Sequence, residues 1–125
     1  LARHKDGSSM VFGTPGGDQQ DQWQLIMFLR HVHHELNLQE AIDAPLFHTQ
    51  HMNSSFFPRT AFKGEMMAVK SFGEKTLKEL RERGHKVNEA EEWTVGRLTA
   101  ASRSADGLLK AAATPRLMQA YAVGR

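Results

Sequence analysis

Hydrophobic residues recur at helical spacing along one long stretch of the chain, from Asp18 to about Leu36. The positions on one stripe are Leu25, Phe28, Leu29, Val32 and Leu36, and those that widen it are Trp23, Ile26 and Met27. This pattern is typical of an amphipathic helix. We therefore predict a helix over residues 18–36 whose wide apolar stripe is buried and packs on two sides. Asp18 and Asp21 would lie in its first turn, where the positive end of the helix dipole favours acidic side chains.

Two shorter helices are predicted further along the chain. One runs over residues 38–44 and ends before Pro45, because the residue before a proline avoids the helical conformation. The other follows Ser71, which with Glu74 has the spacing of a capping box, and ends at Gly84. Its predicted inward-facing residues are Leu77 and Leu80, and its predicted ion pairs are Glu74–Lys78 and Glu79–Arg83.

The remaining pattern predicts strands and hairpins. Asp6–Gly7 and Asp106–Gly107 are tight-turn signals, and they predict hairpins over residues 1–13 and 97–112. Further short strands are predicted at residues 56–57, 66–69 and 85–88. The resulting order of strands and helices predicts an α+β or layered α/β fold with antiparallel hairpins.

Length, charge and composition exclude several classes of protein. The chain has 125 residues, of which 40% are hydrophobic, so it suits a single domain over residues 1–125 with a true core. Sixteen basic residues stand against fourteen acidic ones without a basic cluster, so we expect no nucleic-acid partner. There is no cysteine, and no stretch approaches the ~20 apolar residues of a membrane span. The cellular compartment stays open.

The glycine-rich segment Gly13–Gly17 is the strongest candidate for chemistry. Gly16 and Gly17 lack β-carbons, so the backbone there can approach a ligand closely. Their N–H groups, with the helix that follows, could hold an anion or a developing oxyanion. An ordinary turn between a strand and a helix would use the same residues, and both interpretations stay open on spacing alone.

Histidines and serines give weaker signals. His31 and His34 could share a helix face with Glu35, but their spacing is not that of a zinc motif, so a metal-binding helix is the least favoured hypothesis. No serine lies in a nucleophile elbow. The sequence therefore predicts that this chain's side chains form no metal site and supply no catalytic nucleophile.

Several motifs together resemble the γ-glutamyltransferase (γ-glutamyltranspeptidase) family, across nearly the whole chain. The first is Gly-Thr-Pro-Gly-Gly-Asp-Gln-Gln at residues 13–20, continuing to Trp23. The others are residues 37–45, Phe47–His48, Ser54–Arg59, Arg83–Val87, Gly96–Arg97 and Pro115–Arg116.

The resemblance implies part of an N-terminal-nucleophile hydrolase fold, a four-layer αββα sandwich. It also implies an autoprocessed enzyme whose N-terminal threonine attacks a γ-glutamyl amide and forms an acyl-enzyme. Gly16 and Gly17 match the family's oxyanion-hole glycines, with Thr14 and Pro15 shaping the loop. Ser8–Ser9 follows the hairpin turn, so the family's substrate-binding serine pair is not assigned to it.

The resemblance also implies that the chain is a C-terminal fragment of the small subunit. Such a fragment is expected to be inactive alone, and the enzyme is expected to need no cofactor. The expected partners are the rest of the small subunit and the large subunit, with self-association as another outcome, because half of a sandwich exposes core surface. The expected small molecules are a γ-glutamyl donor of the glutathione type and an amine or water acceptor. Two alternatives remain: a related amide acylase of the β-lactam acylase type, and a non-catalytic structural or interaction domain.

Overall fold

A computed structural model describes residues 1–115 and 120–123. The helices are α1 (Gln20–His33), α2 (Leu38–Asp43) and α3 (Glu74–Glu82). The strands are β1 (Ala2–Arg3), β2 (Ser9–Gly13), β3 (Phe47–Thr49), β4 (Glu65–Val69), β5 (Lys86–Ala90), β6 (Thr99–Arg103) and β7 (Leu109–Ala113). This order confirms the predicted mixture of helices and antiparallel hairpins. Arg116, the second residue of the Pro115–Arg116 motif, lies outside the described residues.

The strands form two sheets. Sheet one has the order β1-β2-β6-β7 and is antiparallel throughout, whereas sheet two has the order β3-β4-β5, with β4 and β5 parallel on either side of α3. Both predicted hairpins are present in sheet one. In each, the turn aspartate accepts a backbone N–H from two residues further on: Ser8 donates to Asp6 at 2.8 Å and Leu108 donates to Asp106 at 3.2 Å. These local bonds explain why the two Asp-Gly signals predicted the turns correctly.

The main core lies where α1 and α2 pack on one face of sheet one and on the edge of sheet two. Its largest fully buried side chains are Met27, Ile42, Leu46, Val69 and Leu98. A smaller cluster lies under α3, formed by Met66, Ala68 and Leu77. Burial of these side chains is the main contribution to the stability of the fold.

The predicted burial of α1 is wrong for three of the five residues on its stripe. Trp23 and Met27 face the core, but Leu25, Leu29 and Val32 are 57%, 38% and 48% exposed. The helix is apolar on more than one side, so its periodicity could not show which side contacts this chain. The helix also ends at His33 rather than Leu36, because Glu35 has a positive φ of 56°.

The capping box belongs to α2 rather than α3. The Asn37 side chain accepts the N–H of Glu40 at 3.0 Å, and the Glu40 carboxylate accepts the N–H of Asn37 at 2.9 Å. Ser71 was predicted to cap α3, but it lies in a short 3₁₀ turn (Lys70–Phe72) and donates its N–H and hydroxyl to Glu92. Ser71 and Glu74 have the spacing of a capping box, but Gly73, with φ of 83°, turns the chain between Ser71 and α3. Spacing alone therefore could not distinguish the true box at Asn37 from the false one at Ser71.

Two other expectations about this region are wrong. The described ion pairs of α3 are Lys78–Glu82, Arg81–Glu74 and Arg81–Glu89, not the predicted ones. Phe56 and Phe57 form no strand and are 65% and 95% exposed. Glu74 pairs with Arg81 of its own helix, and β5, parallel to β4, brings Glu89 beside the same arginine.

Candidate functional site

The loop between β2 and α1 carries the candidate oxyanion glycines. Gly16 has φ of 134° and Gly17 has φ of 68°, backbone conformations that side chains with a β-carbon rarely adopt. A β-carbon on Gly16 would lie 2.5 Å from Cζ3 of Trp23, so the indole ring itself requires glycine at this position. Both glycines are exposed to solvent. The loop thus offers an accessible backbone with a rigid aromatic support beneath it.

A second aromatic ring lies against Gly17. A β-carbon there would be 3.3 Å from Cε2 and 3.8 Å from Cζ of Phe56. Phe56 comes from the loop between β3 and β4, far from Gly17 in sequence. The two candidate glycines are therefore each fixed by a different aromatic side chain.

Gln20 closes the loop through its side-chain amide. Oriented so that both of its atoms are satisfied, the amide donates to the Thr14 carbonyl oxygen at 3.0 Å and accepts the N–H of Gly17 at 3.1 Å. The Thr14 hydroxyl donates to the carbonyl of Pro15 at 2.8 Å. The Gly17 N–H thus has an internal acceptor, which an incoming carbonyl oxygen would have to share or replace.

The sequence predicted Asp18 in the first turn of the long helix, but the residue lies just before α1. It lies in a 3₁₀ turn (Gly17–Gln19) before α1, and its carboxylate accepts hydrogen bonds from the loop that carries Phe56. Ser54 Oγ donates to Oδ2 at 2.7 Å, Ser55 N–H donates to the same oxygen at 2.9 Å, and the Ser55 hydroxyl donates to Oδ1. These bonds lower the pKa of Asp18, the Ser55 hydroxyl most of all, so the group is ionised at neutral pH.

The histidines lie in separate environments. His48 is buried in β3, its ring meets Trp23 edge-on at 5.4 Å between centroids, and burial lowers its pKa. His31 Nδ1 lies 2.8 Å from the carbonyl of Leu36, and His51 Nδ1 accepts the N–H of Gly64 at 3.0 Å. Among residues 1–115 and 120–123, no group of three or more His, Cys, Asp or Glu side chains is placed to hold a metal ion.

Comparison with known proteins identifies the family. The family model described as gamma-glutamyltranspeptidase matches residues 1–124. This chain belongs to the γ-glutamyltranspeptidase family.

Curated γ-glutamyltranspeptidase relatives are named as proenzymes. An oxamate amidohydrolase proenzyme of Klebsiella pneumoniae is 32% identical over 117 residues, which cover 92% of this chain and 21% of that protein. A glutathione hydrolase proenzyme of Escherichia coli is 31% identical over 121 residues, which cover 96% of this chain and 19% of that protein. The chain therefore spans about a fifth of the length of these two relatives.

Solved structures confirm the fold. The structure of LmbA2991HD is 48% identical, with a TM-score of 0.87, and the match covers 93% of this chain and 21% of that one. The cephalosporin acylase of Bacillus halodurans is 24% identical, with a TM-score of 0.69 over 84% of this chain and 18% of that one, a likeness of fold alone. The chain thus has part of the N-terminal-nucleophile hydrolase fold, as its resemblance to γ-glutamyltranspeptidases implied.

The residues that surround the glycine loop could not be found from local spacing. Asp18 and Ser55 are 37 positions apart, so no local pattern connects them. Ser54 and Ser55 by themselves indicated only a turn. The one available signal was that both segments belong to motifs of the same γ-glutamyltranspeptidase pattern, at residues 13–20 and 54–59. Phe56 and Trp23 were predicted as core or strand residues, and no pattern in the sequence indicated that they contact the glycines.

Proposed function

We propose that this chain is the part of an autoprocessed γ-glutamyltransferase-type enzyme that supplies the backbone donors for its oxyanion. The observation that carries the proposal is the exposed Gly16–Gly17 backbone: both residues have a positive φ, and the ring of Trp23 leaves no room for a β-carbon on Gly16. In a γ-glutamyl transfer the carbonyl oxygen of the donor becomes negatively charged as a nucleophile attacks. N–H groups already fixed where that charge develops stabilise the transition state more than the ground state.

The attacking group in this proposal is an N-terminal threonine from another part of a longer precursor. Two observations support it: the curated relatives are proenzymes, and this chain spans about a fifth of their length. The threonine hydroxyl would attack the amide carbon while its own α-amino group takes the proton. That proton would pass to the amine nitrogen as the C–N bond breaks, so that the amine leaves and the acyl-enzyme forms. Water or a second amine would then release the γ-glutamyl group.

Two uncovered apolar surfaces support packing against the rest of such a precursor. Sheet one buries Met10 and Ala100 on the face under the helices, but its other face leaves Val11 and Leu109 52% and 73% exposed. Exposed apolar side chains grouped on one face of a sheet mark a surface that another part of a protein covers. The exposed side of α1 described above is the second such surface. We propose the large subunit and the rest of the small subunit as the occupants, and the 125 residues as one domain at the C-terminal side.

The direct test is turnover of a chromogenic γ-glutamyl anilide by the processed full-length protein and by the 125-residue chain. We expect turnover by the full-length protein only. Gly16→Ala and Gly17→Ala should each lower kcat by about a hundredfold or more, because the added β-carbon would displace a backbone N–H from the position where the oxyanion develops, an effect similar to losing one donor. The matched control is Gly7→Ala, since Gly7 also has a positive φ but a β-carbon there would meet no atom within 4 Å. Wild-type kcat in the Gly16 variant would contradict the proposal.

A second candidate is hydrolysis of another amide. The observation that favours it is the similarity to the Klebsiella oxamate amidohydrolase over 92% of this chain. A precursor that cleaves itself but does not turn over the anilide, while releasing ammonia from oxamate or the acyl group from a β-lactam amide, would establish this alternative. A precursor with neither self-cleavage nor turnover would favour the non-catalytic domain.

A further inference from the structure

Asp18 connects two segments that are distant in sequence. Its carboxylate accepts three hydrogen bonds from Ser54 and Ser55, across 36 and 37 positions of chain. A charged acceptor makes such bonds shorter and stronger than neutral ones. Asp18 directly follows the glycines, so whatever it holds is brought beside them.

The loop that Asp18 holds, residues 54–59, otherwise bonds within itself and its immediate neighbours. Ser54 N–H donates to the Thr60 carbonyl at 3.0 Å, Phe56 N–H donates to Ser54 Oγ at 3.1 Å, and Arg59 N–H donates to the Phe56 carbonyl at 2.6 Å. Among the hydrogen bonds of the described residues, those to Asp18 alone tie this loop to another segment. Removing the carboxylate should therefore release the loop without unfolding it.

The position of the loop decides where the Phe56 ring lies. The ring is 65% exposed, so burial in a core does not hold it against Gly17. Its neighbour Phe57 is 95% exposed, which shows that the loop can carry an aromatic ring in solvent. The tie between Ser54, Ser55 and Asp18 is the feature that places Phe56 beside Gly17.

We propose that Asp18 is a positioning residue: through Ser54 and Ser55 it holds the Phe56 ring against Gly17 and so fixes the backbone donors of the oxyanion loop. This proposal rests on the proposed function of that loop. Gly17 has no side chain that would restrict its backbone conformation. Its N–H is already bonded to the side-chain amide of Gln20, which competes with a substrate for it. The ring limits the conformations that Gly17 can adopt, so its N–H stays in one position, where a reacting carbonyl oxygen would share it with Gln20 or replace Gln20.

The kinetic test uses the processed full-length enzyme and the γ-glutamyl anilide. Asp18→Ala and Phe56→Ala should each lower kcat about tenfold or more and change KM less than about twofold, because misplaced donors weaken the transition state rather than substrate binding. Asp18→Asn should lie between Asp18→Ala and wild type, because its amide oxygen retains one acceptor. The matched controls are Asp21→Ala, which removes the same charge from the exposed first turn of α1, and Phe57→Ala; both should keep wild-type kcat.

A second measurement does not depend on turnover. Chymotrypsin cleaves after exposed phenylalanines, and release of the loop should speed cleavage between Phe56 and Phe57 about tenfold in Asp18→Ala but not in Asp21→Ala. Mass spectrometry of the fragments gives the rate at this one bond.

The outcomes separate the two proposals. Faster cleavage with a selective loss of kcat supports the positioning role. Unchanged cleavage, or wild-type kcat in Asp18→Ala, overturns it while leaving the oxyanion loop standing. A wild-type enzyme without amide turnover overturns both catalytic roles, and the cleavage rates then report only the structural tie.

Discussion

Gly16 and Trp23 are packed so closely that no side chain fits between them: a β-carbon on Gly16 would lie 2.5 Å from Cζ3 of the indole. Trp23 is itself buried, on the side of α1 that faces the core. The glycine loop is therefore coupled to the core through one ring. The effect of a substitution at either residue on stability should depend on which residue is present at the other.

The first prediction tests this coupling with a double-mutant cycle. Gly16→Ala should lower the free energy of unfolding by about 1–3 kcal/mol, from the clash with the indole and from the positive φ. The loss of stability caused by Gly16→Ala should be smaller in a Trp23→Phe background. The β-carbon meets the benzo part of the indole, and the shorter phenylalanine side chain does not extend as far. Urea unfolding of the four proteins measures the coupling energy. An equal cost of Gly16→Ala in both backgrounds would show that the ring does not constrain the loop.

The second prediction concerns Arg30, which joins α1 to the end of α2. Its guanidinium donates to the carbonyl oxygens of Ala44 at 3.2 Å and Pro45 at 2.5 Å. Arg30→Met should lower the free energy of unfolding by about 1.5–3 kcal/mol, because these charge-assisted bonds are lost and the two carbonyl oxygens lose the donor that bonds them in the folded state. The control Lys75→Met, on the exposed side of α3, should change it by less than about 0.5 kcal/mol. Comparable effects of the two substitutions would contradict this role of Arg30.

The third prediction distinguishes the observed capping box from the expected one. Asn37→Ala should cost about 1 kcal/mol, because it leaves the N–H of Glu40 without its acceptor. Asn53→Ala, an exposed loop substitution of the same kind, should cost little. Ser71→Ala should not shorten α3, because Ser71 bonds to Glu92 and not to that helix. Thermal unfolding and amide exchange of α2 and α3 provide the measurements, and faster exchange in α3 after Ser71→Ala would restore the original expectation.

The fourth prediction is a pH dependence centred on His48. Burial lowers the pKa of His48 from its usual 6.5, so the unfolded chain binds this proton at a higher pH than the folded chain does. His48 thus favours folding fully above about pH 6.5, and this contribution is lost as the pH falls from there toward the lowered pKa. We expect the free energy of unfolding to fall between pH 7 and pH 5, and the fall to be smaller in His48→Gln. An exposed control, His85→Gln, should follow the wild-type curve; identical slopes in all three proteins would exclude His48 as the cause.

Much of the architecture could be predicted from the sequence because its signals are local. The Asp-Gly turns at residues 6–7 and 106–107 carry their own hydrogen-bond acceptors, so two hairpins of sheet one were found without knowledge of the rest. The strand at residues 66–69 and the helix after Gly73 were likewise indicated by short patterns, with ends correct to within about two residues. The motifs quoted above identified the family, and the family model confirms it over residues 1–124.

The side of α1 that is buried was not determined by the sequence. An apolar stripe shows that a helix has something to cover, but it does not say which of two sides meets the core of the same chain. Packing of Trp23 against His48 and Gly16 decided this, and it left Leu25, Leu29 and Val32 exposed.

Local sequence patterns predicted most of the helices and hairpins, the family, and the glycines whose backbone is suited to an anion. What surrounds those glycines depends on tertiary packing: Trp23 lies beneath Gly16, Phe56 lies beside Gly17, and Asp18 is bonded to Ser54 and Ser55. The two kinds of feature differ in range. A turn or a helix depends on residues within about four positions of one another, whereas the carboxylate of Asp18 meets hydroxyls 36 and 37 positions away only after two sheets and α1 have assembled.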